Sequence, residues 1–470
     1  MKVLRVSQNT VFLTSALVAQ KILSFGYFWY LSSHLPAQTL GRYVFALSFV
    51  TLFGSGTDLG LSPLLIRETS RDPRSGGAYL RNIFALKIIL GSAAVACAAV
   101  AINFSGKPIE VRHLVYVACA LMLVDAFTLS LWGVFKAARN LWYESMATVL
   151  VQCIIISFGA TVMFLRASVV WLMGALVLAS IVNFSVAAIL ARKKLGYRLF
   201  PAWQPEIIKK LLKMVPAFAF AVVFVKIYNV IDTVLLGLLA SDEAVAFYAI
   251  PAKVVTSVQQ IVPAALAAVI FPIFTQHYRD HSPRLSLLFE QSCAYLLVVS
   301  VPAALGIATL APKILQVIWP HYANAATTFR VMALALPFIF LSFPTGYLLN
   351  ACDRQVKNTF NRGMVTLATV IGNIVLIPYI GYFGSGLVFL GSNCLLLALD
   401  SVAVRSIVRP NLKYLSVILV KVALASSAML AMLWILRDRV GLPTLLAVGG
   451  ITYLGGMLVQ RVWKLPRVSG

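Results

Sequence analysis

The 23-residue stretch VVWLMGALVLASIVNFSVAAILA, residues 169–191, contains no charged side chain. A helix needs about 20 mostly apolar residues to cross a bilayer, so this stretch predicts a membrane-spanning helix. The whole chain has the same character, since 60% of its 470 residues are hydrophobic, 11% are charged and the mean hydropathy is +0.90. This composition excludes an ordinary soluble domain, in which about 25% of residues are charged.

Fourteen segments of this kind follow one another, joined by connectors too short to form a soluble domain. The sequence therefore predicts an all-α integral membrane protein with about 14 transmembrane helices. The segments cover residues 9–33, 43–66, 82–104, 113–135, 144–165, 169–191, 215–239, 248–274, 287–311, 326–349, 359–380, 385–408, 415–436 and 443–460.

The charge of the chain is strongly basic, with 39 Lys and Arg, 15 Asp and Glu, and a net charge of +24. In a chain this apolar, we interpret the excess of basic residues as a feature of membrane topology and expect no nucleic-acid partner. Of the 39 basic residues, 26 lie in connectors or at helix ends on the side of the N terminus, 7 lie on the opposite side, and the other 6 lie within predicted helices. Because basic residues are retained in the cytoplasm, we expect both termini to be cytoplasmic.

The most basic connector divides the chain after the sixth predicted helix. Its apolar residues recur at helical spacing opposite three lysines, which predicts a short amphipathic helix on the inner leaflet; they are Ile207, Ile208, Leu211, Leu212 and Val215. Lys21 and Lys226 are 205 positions apart, as are Tyr43 and Tyr248, which indicates an internal repeat. We expect a six-helix lobe over 1–191, a cytoplasmic linker over 192–214, a second six-helix lobe over 215–408, and two added helices with a cytoplasmic tail over 409–470.

Ionisable residues occur inside several predicted helices, where each costs about 2.5–3.5 kcal/mol if it faces lipid. Such residues normally face a cavity or a partner. Candidate substrate-binding residues on polar helix faces are Lys21, Ser55, Lys226, Asn229, Lys253, Ser257 and Gln260, and candidate ion-coupling residues are Asp58, Asp125, Asp232 and Asp400. For Lys21, Lys226 and Lys253, snorkelling to the interface or an interhelical salt bridge remains an alternative. For Lys87 and Lys421, which lie near helix ends, snorkelling is favoured. For the aspartates, the alternative is a structural hydrogen bond to a neighbouring helix.

The excess of cations within the predicted helices points to an anionic substrate, because a phosphate that crosses hydrocarbon needs fixed positive charge on its route. Hydroxyl and amide side chains on the same faces can form hydrogen bonds with sugar hydroxyls. The chain has no phosphate-binding loop of the G-x-x-x-x-G-K-[ST] type, which argues against ATP hydrolysis. The scattered cysteines and histidines fit no zinc site, so we expect neither a metal nor a cofactor.

The first two predicted helices carry a recognisable set of residues: Asn9, Leu40-Gly41-Arg42-Tyr43, Asp58-Leu-Gly-Leu61 and Arg67-Glu68. This set resembles the Wzx-type polysaccharide-synthesis flippases of the multidrug, oligosaccharidyl-lipid and polysaccharide exporter superfamily. The resemblance implies two six-helix bundles, related by a pseudo-two-fold axis, around a central cationic cavity, with two added C-terminal helices. It also implies that Lys21, Lys226 and Lys253 contact a pyrophosphate.

By the same resemblance, the function is to translocate an undecaprenyl-pyrophosphate-linked oligosaccharide, such as an O-antigen, capsule or exopolysaccharide repeat unit, across the bacterial inner membrane by alternating access. A proton or sodium ion is the implied coupling ion, and a polysaccharide polymerase an implied partner. Two alternatives stay open, a lipid II-type flippase and a cation-coupled multidrug antiporter. We do not expect an enzyme, because the adjacent acids Asp242 and Glu243 make no carboxylate cluster at the membrane edge.

Overall fold

The structure, a computed structural model, describes residues 2–460, and within them the side chains of all but residues 2–14, 217, 218, 221, 261, 264, 265, 267 and 268. Helices dominate this part of the chain and no strand occurs in it, which confirms the predicted all-α class. The side chain of Asn9 and the predicted cytoplasmic tail after residue 460 lie outside the described residues.

Contacts divide the chain into two compact units, Met1–Leu238 and Leu239–Gly470. In the first unit, α5 packs against α2, α3, α4 and α7, and α1 packs against α6. Its helices are α1 Lys2–His34, α2 Ala37–Asp58, α3 Leu61–Arg71, α4 Gly76–Phe104, α5 Ile109–Ala137, α6 Trp142–Phe164, α7 Val169–Leu195 and α8 Pro205–Leu239, the last of which ends at the unit boundary.

In the second unit, α14 packs against α10 and α15, so the two added C-terminal helices share a core with α10. The helices of this unit are α9 Asp242–Arg279, α10 Arg284–Ile318, a 3-10 helix Pro320–Ala325, α11 Ala326–Ala333, α12 Leu336–Ala351, α13 Gln355–Val404, α14 Leu412–Leu436 and α15 Leu442–Val459.

Each of the fourteen predicted segments coincides with helical structure. Among the described residues, eleven helical stretches are long and apolar enough to cross a membrane, and one of them, Gln355–Val404, contains two predicted segments. That helix bends sharply at Gly381, whose φ of 55° and ψ of −137° lie outside the helical region. Glycine suits this position because it adopts positive φ without steric penalty.

The second predicted segment is interrupted where α2 ends and α3 begins. Leu59 and Gly60 both have left-handed backbone conformations, with φ of 42° and 80°. Asp58 stabilises the new helix start, since its carboxylate accepts a hydrogen bond from the Ser62 amide at 3.4 Å. The Asp58-Leu-Gly-Leu61 motif therefore encodes a helix break inside a predicted membrane span.

The connector after α7 differs from its prediction. The expected short amphipathic helix is the first part of the long helix α8, and protein covers part of its apolar face, whereas Leu212 on the same face is exposed. Ile208 and Leu211 are 4% and 0% exposed, and they pack in a core with residues of α3, α4 and α5. Helical spacing identified the apolar face, but spacing alone does not distinguish a protein neighbour from a lipid one.

The boundary between the compact units, between Leu238 and Leu239, also falls later than the predicted lobe boundary at 191–215. The reason is that α8 contacts α2: the Lys226 ammonium reaches the Gly54 carbonyl, and Gly237 lies against the ring of Phe45. The predicted division into 1–191, 192–214, 215–408 and 409–470 concerns which parts move together, and it stays a prediction.

Gly237 should not tolerate a side chain. A Cβ there would overlap the ring of Phe45, which is fully buried and has no space to move. We expect Gly237→Ala to lower the free energy of unfolding in detergent by about 1–3 kcal/mol. Gly56→Ala on α2 is the matched control, because no atom lies within 4 Å of its added methyl group. Equal unfolding midpoints for the two variants would contradict this packing.

Candidate functional site

A cavity of about 400 Å³ opens within the first unit, lined by residues of α2, α5, α7 and α8. Its size falls within the range of small-molecule sites in proteins. Much of the wall is apolar, as in Leu47, Val50 and Met122. The polar side chains on it are those of Thr51, Thr57, Asp58, Asp125, Thr128, Trp132, Asn183 and Lys226.

Lys226 of α8 supplies the cationic group of this wall. The side chain is half-buried, and its ammonium donates a hydrogen bond to the Gly54 carbonyl of α2 at 3.2 Å. It also lies within the electrostatic field of Asp58 and Asp125. Three donor protons on one ammonium leave capacity for an anionic ligand beside the single bond to Gly54.

Asp125 of α5 is exposed to the cavity and accepts a short hydrogen bond from the Ser180 hydroxyl of α7. Asn183 lies about one helical turn after Ser180 on α7, and its amide oxygen accepts a hydrogen bond from the Trp132 indole at 3.1 Å. The two bonds fix α5 against α7 and hold an ordered polar wall.

Asp58 reaches the cavity wall but is itself only 3% exposed. Its carboxylate forms an ion pair with Lys87 of α4, with Nζ and Oδ1 2.5 Å apart, and accepts a hydrogen bond from the Ser62 hydroxyl at 2.5 Å. Lys87 is 1% exposed and donates further to the Ala126 carbonyl at 2.6 Å and to Ser62 at 3.1 Å. The expected snorkelling of Lys87 is therefore wrong, because a buried counter-charge satisfies its ammonium.

The lining of this cavity contains one lysine and two aspartates. Pairing with Lys87 neutralises Asp58, so Lys226 and Asp125 are the two charges left on the wall. Sequence reasoning identified both residues but did not place them in the same cavity.

Several predicted site residues of the first unit lie elsewhere. Lys21 of α1 and Asn229 of α8 are exposed, and neither is part of the cavity lining. The Ser55 hydroxyl is buried and donates to the Leu52 carbonyl of its own helix at 2.7 Å. Asp232 is 8% exposed and is also absent from the lining.

The remaining predicted residues belong to the second unit. Lys253 and Ser257 are half-buried on α9, where the Ser257 hydroxyl donates to the Lys253 carbonyl at 2.7 Å, and Gln260 is exposed. Asp400 on α13 is fully buried and accepts a hydrogen bond from the Asn361 amide at 2.8 Å. Within the described part of the chain, its second carboxylate oxygen has no hydrogen-bond partner.

Sequence reasoning missed Ser180, Asn183 and Trp132. The first two are three residues apart on α7, which places them on one face of a helix that lacks charged residues over 169–191. Their spacing could therefore have identified both residues as candidates. The sequence did not identify Trp132, because a tryptophan near a predicted helix end also fits the membrane interface.

Removing one partner of the buried ion pair should destabilise the first unit. We expect Asp58→Asn to lower the free energy of unfolding in detergent by about 3–5 kcal/mol, because the Lys87 ammonium loses its counter-charge. A double variant, Asp58→Leu with Lys87→Met, should lose less than Asp58→Asn, since no unpaired charge remains. Urea unfolding of the purified proteins measures both.

The control is the more exposed pair of Lys136 and Glu144, whose atoms are 2.9 Å apart. Glu144→Gln should lower the free energy of unfolding by about 1 kcal/mol or less. A loss from Asp58→Asn no larger than this would show that the ion pair does not support the fold.

Three of the solved structures that match this chain illustrate its fold. The first is described as the lipid II flippase MurJ in an inward closed conformation. It has a TM-score of 0.79 at 13% sequence identity, and the alignment covers 96% of this chain and 99% of the MurJ chain. An inward-facing multidrug resistance MATE family transporter of the MOP superfamily has a TM-score of 0.69 at 15% identity, covering 82% and 94%. A MOP superfamily transporter from Pyrococcus furiosus has a TM-score of 0.58 at 15% identity, covering 86% and 94%.

At these identities the similarity shows the fold alone, and the predicted exporter fold is confirmed. No curated protein sequence matches the chain. The sequence model of one family, described as "Polysaccharide biosynthesis protein", matches residues 6–277, which is more than half of the chain. The chain therefore belongs to this polysaccharide biosynthesis protein family, and it is a multi-pass membrane protein with the fold that the MurJ and MATE structures share.

Proposed function

We propose that the protein is a flippase for an undecaprenyl-pyrophosphate-linked oligosaccharide. It carries an O-antigen, capsule or exopolysaccharide repeat unit from the cytoplasmic to the outer face of the bacterial inner membrane by alternating access. The family description supports polysaccharide biosynthesis, and one protein of the same fold is described as a lipid II flippase. Both termini lie in the cytoplasm in this proposal, and the protein acts as a transporter and not as an enzyme.

The observation that carries the proposal is that Lys226 lines a cavity within a unit of apolar helices, together with hydroxyl and amide side chains. A lysine at bilayer depth costs about 2.5–3.5 kcal/mol when it faces lipid, so a cavity-facing lysine indicates a functional site. Its ammonium suits a phosphate of the headgroup, and the neighbouring Thr51, Thr128 and Asn183 suit sugar hydroxyls. The prenyl chain stays in the lipid.

The other predicted residues have proposed roles in the same cycle. At other steps of the transport cycle, further contacts to the headgroup come from Lys21, Ser55, Asn229, Lys253, Ser257 and Gln260. The coupling ion, a proton or sodium, binds at one of Asp58, Asp125, Asp232 and Asp400. A polysaccharide polymerase is the proposed partner that receives the flipped repeat unit.

Two alternative functions each rest on an observation. A lipid II-type flippase is favoured by the structural match that spans 96% of this chain. A cation-coupled multidrug antiporter is favoured by the two aspartates on the cavity wall and by the MATE fold. A drug-susceptibility panel tests the second, because an antiporter should raise the tolerated concentration of cationic drugs several-fold.

Lys226 should be required for transport. In a strain that lacks its O-antigen repeat-unit flippase, or in one that lacks the lipid II flippase, we expect the wild-type protein to restore glycan export in the strain with the matching cargo. Lys226→Gln should reduce export at least about tenfold, since a neutral amide cannot neutralise phosphate, and Lys226→Arg should retain part of it. Surface glycan, normalised to protein abundance in the membrane, is the measurement.

The matched control is Lys421→Gln on α14, where the ammonium donates to the Gln460 carbonyl at 3.3 Å and is not part of the cavity lining. It should export as well as wild type. Normal export by Lys226→Gln at normal abundance would refute the proposed contact with the headgroup.

A further inference from the structure

The segment between the membrane-spanning parts of α7 and α8 is fixed firmly to the first unit. We call residues 196–213 the linker strap. It begins at Gly196, whose left-handed φ of 68° ends α7, and it continues into the first turns of α8. Its sequence, GYRLFPAWQPEIIKKLLK, holds four basic residues and one acidic residue.

Hydrogen bonds to α4 fix the middle of the strap. The Arg81 guanidinium donates to the Phe200 carbonyl at 3.0 Å. Two hydrogen bonds join Asn82 and Gln204. The backbone N–H of Gln204 donates to Asn82 Oδ1 at 2.7 Å, and Asn82 Nδ2 donates to Gln204 Oε1 at 2.9 Å. Asn82 is fully buried, so this pairing forms within the protein.

Both ends of the strap are held as well. The Tyr197 hydroxyl donates to the Pro73 carbonyl at 3.3 Å, and this approach requires glycine at position 76, where a Cβ would lie 2.5 Å from the hydroxyl oxygen. The Lys210 ammonium donates to Glu68 and to the Tyr79 hydroxyl, each at 2.6 Å. The hydrogen bond with Glu68 raises the pKa of Lys210, which keeps this lysine charged.

The fixed strap nevertheless exposes large apolar side chains. Phe200 is 83% exposed, Trp203 is 55% exposed and Leu212 is 54% exposed. Burial of such side chains stabilises a protein by roughly 1.5–3 kcal/mol each, so a rigid segment that exposes three of them in water forgoes a large stabilisation. Trp is enriched at membrane interfaces, where its ring meets the headgroup region.

Exposed basic side chains lie close in sequence to these apolar residues. Arg198, Lys209 and Lys213 are exposed on the strap, and Arg192, Lys193 and Lys194 are exposed on the last turn of α7 just before it. Among the residues of the strap itself, Glu206 is the one acid. A surface that combines exposed aromatics with this charge is complementary to an anionic leaflet.

We propose that the linker strap is a membrane-docking surface that inserts Phe200 and Trp203 into the leaflet and binds anionic phospholipid headgroups through Arg198, Lys209 and Lys213. The partner is the lipid surface and not the transported cargo. The proposal does not rest on the cargo or on the transport cycle, so its failure and that of the proposed function are separable.

The position of Trp203 is tested in full-length protein in lipid nanodiscs with brominated acyl chains, which quench nearby indoles. The signal of Trp203 is the difference between wild type and Trp203→Phe. We expect brominated lipid to quench most of this difference signal. A difference signal that is unchanged by brominated lipid, and quenched by a water-soluble quencher, would overturn the proposal.

The preference for anionic lipid is tested by replacing neutral phosphatidylcholine with anionic phosphatidylglycerol and measuring how strongly the protein binds phosphatidylglycerol. We expect the triple variant Arg198→Gln, Lys209→Gln, Lys213→Gln to bind phosphatidylglycerol about tenfold or more weakly than wild type. The matched control is Arg354→Gln, Lys357→Gln, Arg405→Gln, which removes three exposed basic residues of the second unit. It should retain most of the affinity.

An equal loss in both triple variants would show a general effect of net charge and would overturn a specific role of the strap. Unchanged affinity in the strap variant, with Trp203 open to water, would point instead to a soluble partner on this surface. All six substituted side chains are exposed, so both triple variants should unfold at the temperature of wild type, and that measurement accompanies the binding data.

Discussion

A charge within a bundle of apolar helices must be paired or face a cavity, and the buried ion pair of Lys87 with Asp58 satisfies this constraint at the helix break of the first unit. Asp58 ends α2 at the helix break, and Ser62, which bonds to its carboxylate, lies in the first turn of α3. Lys87 comes from α4 and also bonds to the Ala126 carbonyl of α5. Four helices therefore meet at one buried pair, which compensates the polar groups that a break exposes.

The chemistry of the cavity follows from this pair. Because Lys87 neutralises Asp58, the wall presents Lys226 and Asp125 as its remaining charges, with hydroxyl and amide groups beside them. A headgroup that combines phosphate with sugar hydroxyls needs a cation and hydrogen-bonding groups together. An accumulation of lysines alone would serve only the first requirement, and the cost of desolvating each of them would limit their number.

The helix α3 connects the buried ion pair with the linker strap. Its first turn carries Ser62, which contacts the buried ion pair, and its last turns carry Glu68, which holds Lys210 of the linker strap. Along α3, Leu61, Leu64 and Leu65 pack into the same core as Ile208 and Leu211 of α8. The linker strap and the ion pair beside the cavity wall therefore both contact α3.

The all-α class and the positions of the apolar helical segments could be read from the sequence, because a bilayer requires about 20 apolar residues per crossing wherever the segment lies in the fold. Residues such as Lys226 and Asp125 were also identifiable, since a charge within an apolar segment stands out by composition alone. Pairing could not be predicted in the same way: Lys87 has the same sequence context as a snorkelling lysine, and its partner Asp58 is 29 positions away. Ile208 and Leu211 showed an apolar face, but only the tertiary structure decided that protein covers these two residues. Local composition fixes how deeply a segment partitions into the membrane, whereas contacts between distant segments depend on packing that no single segment encodes.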